Sequence, residues 1–365
     1  MKVGMISPFL VKCGISTYCL YLSEALMKNG VDVTVLAEEP FPDESVLTKD
    51  IHTKVPYFYC WKRTEFYDKL IKETQNYELA HLQHQFGFFN NTAAWIELLH
   101  QIKIPKILTI HDIVSPCEQL YEYFTKTFEL SDKLIVHTPT CYDMLLRWNC
   151  PKEKIVQIPH GTKLIDVPFK DSARETLGLP KNAKIILSWG FIWESKGILE
   201  MVEILKEIKK TYPEAIFIHA GGVHPILQKS QYLGKILKTA VQFGLTPKDL
   251  IITGWLPEES VPTYFGVADV IVLNYARGSA SASGAGHRAM SGHRPIVKSD
   301  DNCLEDIPGF TVPRFSSTEL YQGILKVLED KKLQEELISQ ADKSAKETSW
   351  QNVALMHKKL YDELT

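Results

Sequence analysis

The sequence predicts an α/β protein made of two Rossmann-like, doubly wound parallel-sheet domains facing a cleft. Three observations carry that expectation. Short runs rich in Val, Ile and Leu alternate with longer stretches of helical periodicity, the signature of repeated βα units. The runs are near-continuously apolar, as strands covered on both faces must be. The pattern also pauses once and restarts, in a chain whose 365 residues exceed the needs of one core and suit two.

In the first half the expected strands are KVGMIS (2–7), DVTVLA (32–37), LAHLQH (79–84), KILTIH (106–111), KLIVHT (133–138) and IVQIPH (155–160). Between the first two, TYCLYLSEALMKNG (17–30) reads as an amphipathic helix closed by Gly30, a natural C-terminal cap. YFYCWKRTEFYDKLIKE (57–73) reads as an amphipathic surface helix whose aromatics face the core, with an interfacial or acceptor-binding helix as the alternative. Residues 158–184 hold three prolines, two glycines, several charges and one short helix, which marks them as the connector between domains. The pattern then resumes with KIILSWG (184–190), AIFIHAGG (215–222), LIITGWLP (250–257), DVIVLNY (269–275) and RPIVKSD (294–300). SWQNVALMHKKLYDEL (349–364) closes the chain as a helix able to cross back to the first domain. The expected domains are therefore 1–165, joined by the crossing helix 350–365, and 166–349.

Composition narrows the function classes. Apolar residues at 45% and charged residues at 23% belong to a soluble globular enzyme. A net charge of −3 argues against general nucleic-acid binding, which needs a basic face. The seven cysteines are scattered without a Cys-x-x-Cys pair, which reads as reduced thiols rather than disulfides or a zinc site. The first residues read as a strand rather than a signal peptide, and no apolar run approaches the ~20 residues that span a bilayer. A cytoplasmic protein with at most peripheral membrane contact is expected.

Small or polar residues follow the strands, where a cleft would be lined. In PFLVKCGISTY, Gly14, Ser16 and Thr17 open a helix whose free N–H groups suit an anion, or form an ordinary βα turn. In HLQHQFG, His81 and Gln83 share one strand face and His84 takes the other, so the two histidines cannot share a metal. His111 and Asp112 sit at a strand tip, placed either for ligand contact or proton transfer, or as a helix cap with its neighbour. Gly190 ends a strand, and Lys196 stands where a helix should begin. That is a poor place for a cation by the helix dipole alone, and neutralising a phosphate is one reason for it to be there. The Walker spacing is absent. Finally, Ser279 to Gly286 contains only Ser, Ala and Gly, directly after the strand ending at Tyr275. Backbone bare of side chains lets a ligand come close to its N–H groups. With Ser281, Ser283, Arg277, Arg288 and Lys196 it describes a diphosphate cradle, the alternative being a flexible surface loop.

Taken in order, these motifs resemble the retaining GT-B glycosyltransferases of glycosyltransferase family 4, over almost the whole chain. CGISTY resembles that family's glycine loop, HLQHQFG and LTIHD its next cleft segments, and IPHG the approach to its linker. WGFIWESKG, GWLPEESVPTYFGVADVIVLNY and AMSGHRPIV resemble its donor-binding domain, and SWQNVA its closing helix. The resemblance implies Lys196 and the Gly284 region on the donor diphosphate, Gly14 near the phosphates and His111 near the transferred sugar. The candidate donor-side residues are Gly14, Ser16, Gly190, Lys196, Trp255, Tyr275, Arg277, Ser281, Ser283, Gly284 and Ala285. His111, Lys196 and Arg288 would carry the chemistry, and His84, Gln85 and Asp112 would face the acceptor. The sequence departs from the family pattern where its two glutamates would stand, at Ala280 and Arg288. It departs again at Phe191, where an Arg is usual, and at His293, where a Gly is usual. It looks like the subset with a Ser/Gly-rich stretch in place of the first glutamate.

The implied reaction is transfer of a hexose from a nucleoside-diphosphate sugar, GDP- or UDP-linked, to a carbohydrate, lipid-linked or other hydroxyl acceptor. No Asp-x-Asp motif is present, so no metal or other cofactor is expected, and cations with helix-terminal N–H groups would stabilise the leaving phosphate. The rival readings are an epimerase or inverting transferase on the same fold, recognised by an essential carboxylate base, and a nucleotide-sugar-binding protein without transferase activity.

Overall fold

A computed structural model describes residues 1–40, 53–63, 67–113, 116–224, 231–275 and 282–365. The chain divides into two compact units. The first comprises Met1–Gly161, Ser279–Gly284 and Thr348–Thr365, and the second Thr162–Gly278 and Ala285–Glu347.

The first unit runs β1 (Lys2–Ser7), α1 (Gly14–Lys28), β2 (Asp32–Glu38), β3 (Tyr57–Trp61), α2 (Asp68–Thr74), β4 (Leu79–His84), α3 (Thr92–Gln101), β5 (Lys106–Ile110), α4 (Tyr121–Leu130), β6 (Lys133–Val136), α5 (Pro139–Arg147) and β7 (Ile155–Gln157). Its parallel sheet has the order β3-β2-β1-β4-β5-β6-β7. The strand order reverses at β1, where Met5 pairs with Val35 on one side and His81 on the other. Alternate strand residues feed two cores. Ile6, Leu82 and Leu108 meet Trp95, Tyr123 and Trp148 on one face, and Val3, Met5 and Ile107 meet the α1 helix on the other.

The second unit runs α6 (Lys170–Thr176), β8 (Ile185–Trp189), α7 (Ile198–Thr211), β9 (Ile216–Ala220), α8 (Tyr232–Gln242), β10 (Leu250–Ile252), α9 (Val261–Val267), β11 (Val270–Leu273), α10 (Gly284–Met290), β12 (Ile296–Ser299), β13 (Phe310–Val312), α11 (Ser317–Glu329) and α12 (Lys331–Glu347). Helix α10 begins on Gly284, the last residue grouped with the first unit. The second sheet has the order β10-β9-β8-β11-β12-β13, reversing at β8. In open parallel sheets such reversal points are where ligands bind, outside the carboxyl ends of the strands. The final helix, α13 (Trp350–Asp362), packs on α1 of the first unit.

One sequence expectation is corrected, and one strand had gone unread. Residues 57–61 form an edge strand paired in parallel with β2, not the start of an amphipathic helix, and helix begins only at Asp68. Five consecutive β-favouring aromatic and Cys side chains explain this. Strand β13, three residues long, escaped notice because so short a run shows no periodicity. Within residues 158–184, α6 packs on α9 of its own unit. Arg174 is 2% exposed, and its guanidinium donates to the Val267 carbonyl and the Asp269 carboxylate. The seven cysteines are free thiols, and among the described residues no helix is long and apolar enough to cross a membrane.

Candidate active site

In the first unit a short loop joins β1 to α1. Leu10 in this loop takes a left-handed φ of 54°. Ser16 closes the loop, its buried hydroxyl accepting the Val11 N–H at 3.1 Å. Its oxygen thereby accepts from the backbone, and the hydroxyl keeps its own hydrogen to donate. Gly14 behaves differently, being exposed with open space where a Cβ would point.

The ends of β4 and β5 carry the polar residues. His111 is half-buried, with Nε2 2.8 Å from Gln83 Oε1. The Tyr18 ring meets His111 edge-on at 4.8 Å and also touches His137, His160 and Trp350. Tyr18, His137, His160 and Trp350 were not singled out from the sequence, where they lie in four separate segments. Burial holds His111 well below the usual histidine range, so it is neutral at pH 7. Asp112 accepts the Phe86 N–H at 3.0 Å, and burial pushes its carboxyl up to about 6. Gln85 is half-buried at the end of β4. His84, expected on the acceptor side, is fully buried on the opposite face, where Nε2 pairs with the Tyr123 hydroxyl at 2.7 Å. Strand alternation sends it into the aromatic core among Phe89 and Trp95. Ser283 is buried and Gly284 exposed, and a Cβ on Gly284 would stand 3.2 Å from His160 Nε2.

In the second unit the carboxyl ends of β8 and β9 come together on glycines. Gly190 has φ 118°, and a Cβ on Gly221 would overlap the Gly190 carbonyl oxygen at 1.7 Å. His219 Nε2 lies 3.0 Å from that same oxygen. Ala285 also packs against Gly190. Lys196 ends a single 3-10 turn, and Gly197, at φ 60°, starts α7 against Asn274. The Lys196 ammonium sits 3.4 Å above the ring of buried Tyr275 and, among the described residues, forms no ion pair. Trp255 is exposed beside Phe191, at 5.7 Å between rings. Arg288, expected among the residues that carry the chemistry, is buried and ion-paired with Glu258, which also holds Lys163 at 2.6 Å. One carboxylate shared by two cations leaves the group a net positive charge, and Arg288 Nη1 has no hydrogen-bond partner among the described residues. Arg277 and Ser281 lie outside the described residues.

Two family models match the chain. Glycosyltransferase Family 4 covers residues 13–164, and Glycosyl transferases group 1 covers 183–330. The chain belongs to the family 4 glycosyltransferases.

An uncharacterized glycosyltransferase of Methanocaldococcus jannaschii is 22% identical to this glycosyltransferase, over 97% of this chain and 96% of its own length. The processive diacylglycerol alpha-glucosyltransferase of Acholeplasma laidlawii is 25% identical over 41% of this chain and 43% of its length. Anabaena HepE, solved with UDP and glucose, superposes with a TM-score of 0.80 over the whole of both chains, at 15% identity. Sucrose-phosphate synthase from Thermosynechococcus elongatus does so with 0.77 over 100% of this chain and 99% of its own, at 20% identity. These structures share the fold, which is the GT-B architecture expected from the sequence. The enzyme class inferred from the motifs is likewise that of the matching families.

The two units of this glycosyltransferase offer different chemistry. The second presents the Lys196 ammonium over the Tyr275 ring and, at the carboxyl ends of β8 and β9, backbone without side chains. The first presents a neutral imidazole and a carboxyl whose proton is lost near pH 6. A cation on a ring face is stabilised without being neutralised.

Proposed function

We propose that this glycosyltransferase moves a hexose from a nucleoside-diphosphate sugar, UDP- or GDP-linked, to a hydroxyl of a carbohydrate or lipid-linked acceptor. Transfer proceeds with retention and without a metal. The observation that carries this reading is Lys196, an ammonium without an ion pair among the described residues, held over the ring of Tyr275. As the sugar leaves through an oxocarbenium-like transition state, negative charge builds on the departing diphosphate. A fixed cation stabilises that charge with no reorganisation, the task a metal performs elsewhere. The departing phosphate oxygen takes the acceptor proton, so retention needs no protein base. HepE structures hold UDP with glucose, or UDP-glucose, and a relative glucosylates diacylglycerol. Both support donors and acceptors of these kinds.

An inverting route is the second reading, favoured by one observation, the Asp112 carboxyl raised to about 6 and able to serve as a base. Turnover of UDP-, GDP-, ADP- and TDP-sugars in the presence of EDTA tests both readings. Donor-selective release of nucleoside diphosphate, with the donor's anomeric configuration kept in the glycoside by proton NMR, is expected. An inverted product abolished by Asp112→Asn would establish the second reading, and an absolute metal requirement would overturn metal independence.

A further inference from the structure

Gln83 lies in β4, fully buried among polar groups of the first unit. Its Oε1 stands 2.8 Å from His111 Nε2, and its Nε2 stands 3.1 Å from Met5 Sδ and 3.3 Å from His81 Nε2. A thioether sulfur has no hydrogen to give and can only accept. The NH2 end of the amide must therefore face Met5, which turns Oε1 towards His111. An amide oxygen also only accepts, so the hydrogen between the two residues sits on His111 Nε2. A neutral imidazole carries one N–H, so His111 Nδ1 is a bare lone pair. It takes no hydrogen bond among the described residues.

The other end of the amide is fixed by the same logic. His81 Nε2 receives the Gln83 N–H and stands 2.8 Å from the Thr109 hydroxyl. Its own proton is then on Nδ1, which donates to the Tyr361 hydroxyl at 2.6 Å. Tyr361 is fully buried on α13, 280 residues along the chain from His81. The closing helix thus supplies the last member of a hydrogen-bonded line that ends at His111. The edge-on ring of Tyr18 packs against the imidazole.

We propose that Gln83, oriented by Met5, His81 and Tyr361, is a positioning residue that fixes His111 as its Nε2–H tautomer and presents Nδ1 as an acceptor for a hydroxyl of the transferred sugar. The proposal rests on the reading of His111 as facing that sugar. The opposite tautomer would donate there and would select the reverse orientation of the hydroxyl. Outer partners of this kind fix ring orientation and tautomer wherever an imidazole must present one chosen nitrogen.

Histidine-selective 15N labelling of the full chain reads the tautomer from the ring nitrogens, with His111 identified by the signal lost in His111→Gln. A protonated Nε2 and bare Nδ1 are expected, and an Nδ1–H ring would overturn the proposal. In Gln83→Leu the His111 signals should move to mixed tautomers, and kcat should fall about tenfold while donor KM changes less than about twofold. Unchanged ring signals and turnover would overturn the proposal. Met5→Leu conserves core volume and frees the amide to turn over, so it keeps the test open if Gln83→Leu does not fold. Its ring signals should be intermediate, and signals identical to the parent would count against the lock. Full turnover by His111→Gln would remove His111 from the sugar and overturn the use made of the tautomer. The wild-type ring spectrum decides separately whether the lock exists.

Discussion

Lys196 and Arg288 carry the same charge in opposite surroundings. Arg288 shares Glu258 with Lys163, whereas Lys196 rests on Tyr275 with no ion pair among the described residues. A single sequence displays both cations and neither partner, so both were legible as candidates and the ion pair of Arg288 was not. The loop contact of Ser16 was hidden for the same reason, since its oxygen accepts the Val11 N–H. Ser16→Ala should therefore cost about 1 kcal/mol of stability in urea denaturation. Gly197 has a stricter requirement. Its φ of 60° and a Cβ position 2.3 Å from the Asn274 carbonyl oxygen exclude a side chain. Gly197→Ala should destabilise the second unit by roughly 2–4 kcal/mol, read as a lowered thermal midpoint.

Helix α13 shows how a short element is held by one glycine. A Cβ on Gly161 would stand 2.2 Å from the Trp350 ring, at the start of the helix that carries Tyr361. Gly161→Ala should displace that ring, lower the melting temperature by several degrees and lower turnover, because α13 ends the line that orients His111. Differential scanning calorimetry beside a turnover assay checks both effects. Most strands were legible because burial on both faces leaves continuous apolar runs, as in Lys106–Ile110 and Val270–Leu273. Tyr57–Trp61 was not, since its aromatics adjoin a basic, helix-like stretch and the strand pairing is settled only by β2. His81 and Gln83 were placed on one strand face, yet their partners Met5, Thr109 and Tyr361 come from three other elements. The face was legible, and the network was not.

Across the whole molecule, neutral buried histidines tie stability to pH. Burial lowers His84 to about 3 and His219 and His357 to about 4, against 6.5 for an unburied histidine. Below about 6.5 the unfolded chain takes up protons that the folded chain refuses, so stability present at pH 7 is lost as pH falls. Asp112 acts in the opposite sense. Raised to about 6 from 3.8, it binds its proton first in the folded state, and its cost is relieved as pH drops from 6 towards 4. The histidines outnumber it, so a net loss on the order of 2–5 kcal/mol between pH 7 and 5 is expected, seen as a lower urea midpoint. The central claim is that Lys196 holds a donor diphosphate. Calorimetric titration of the UDP- and GDP-sugars with EDTA present, into the wild type and Lys196→Ala, tests it most directly. One donor should bind the wild type, and Lys196→Ala should weaken that binding at least about tenfold with an unchanged melting temperature. Equal affinity in the two proteins, or no binding by any sugar nucleotide, would contradict it.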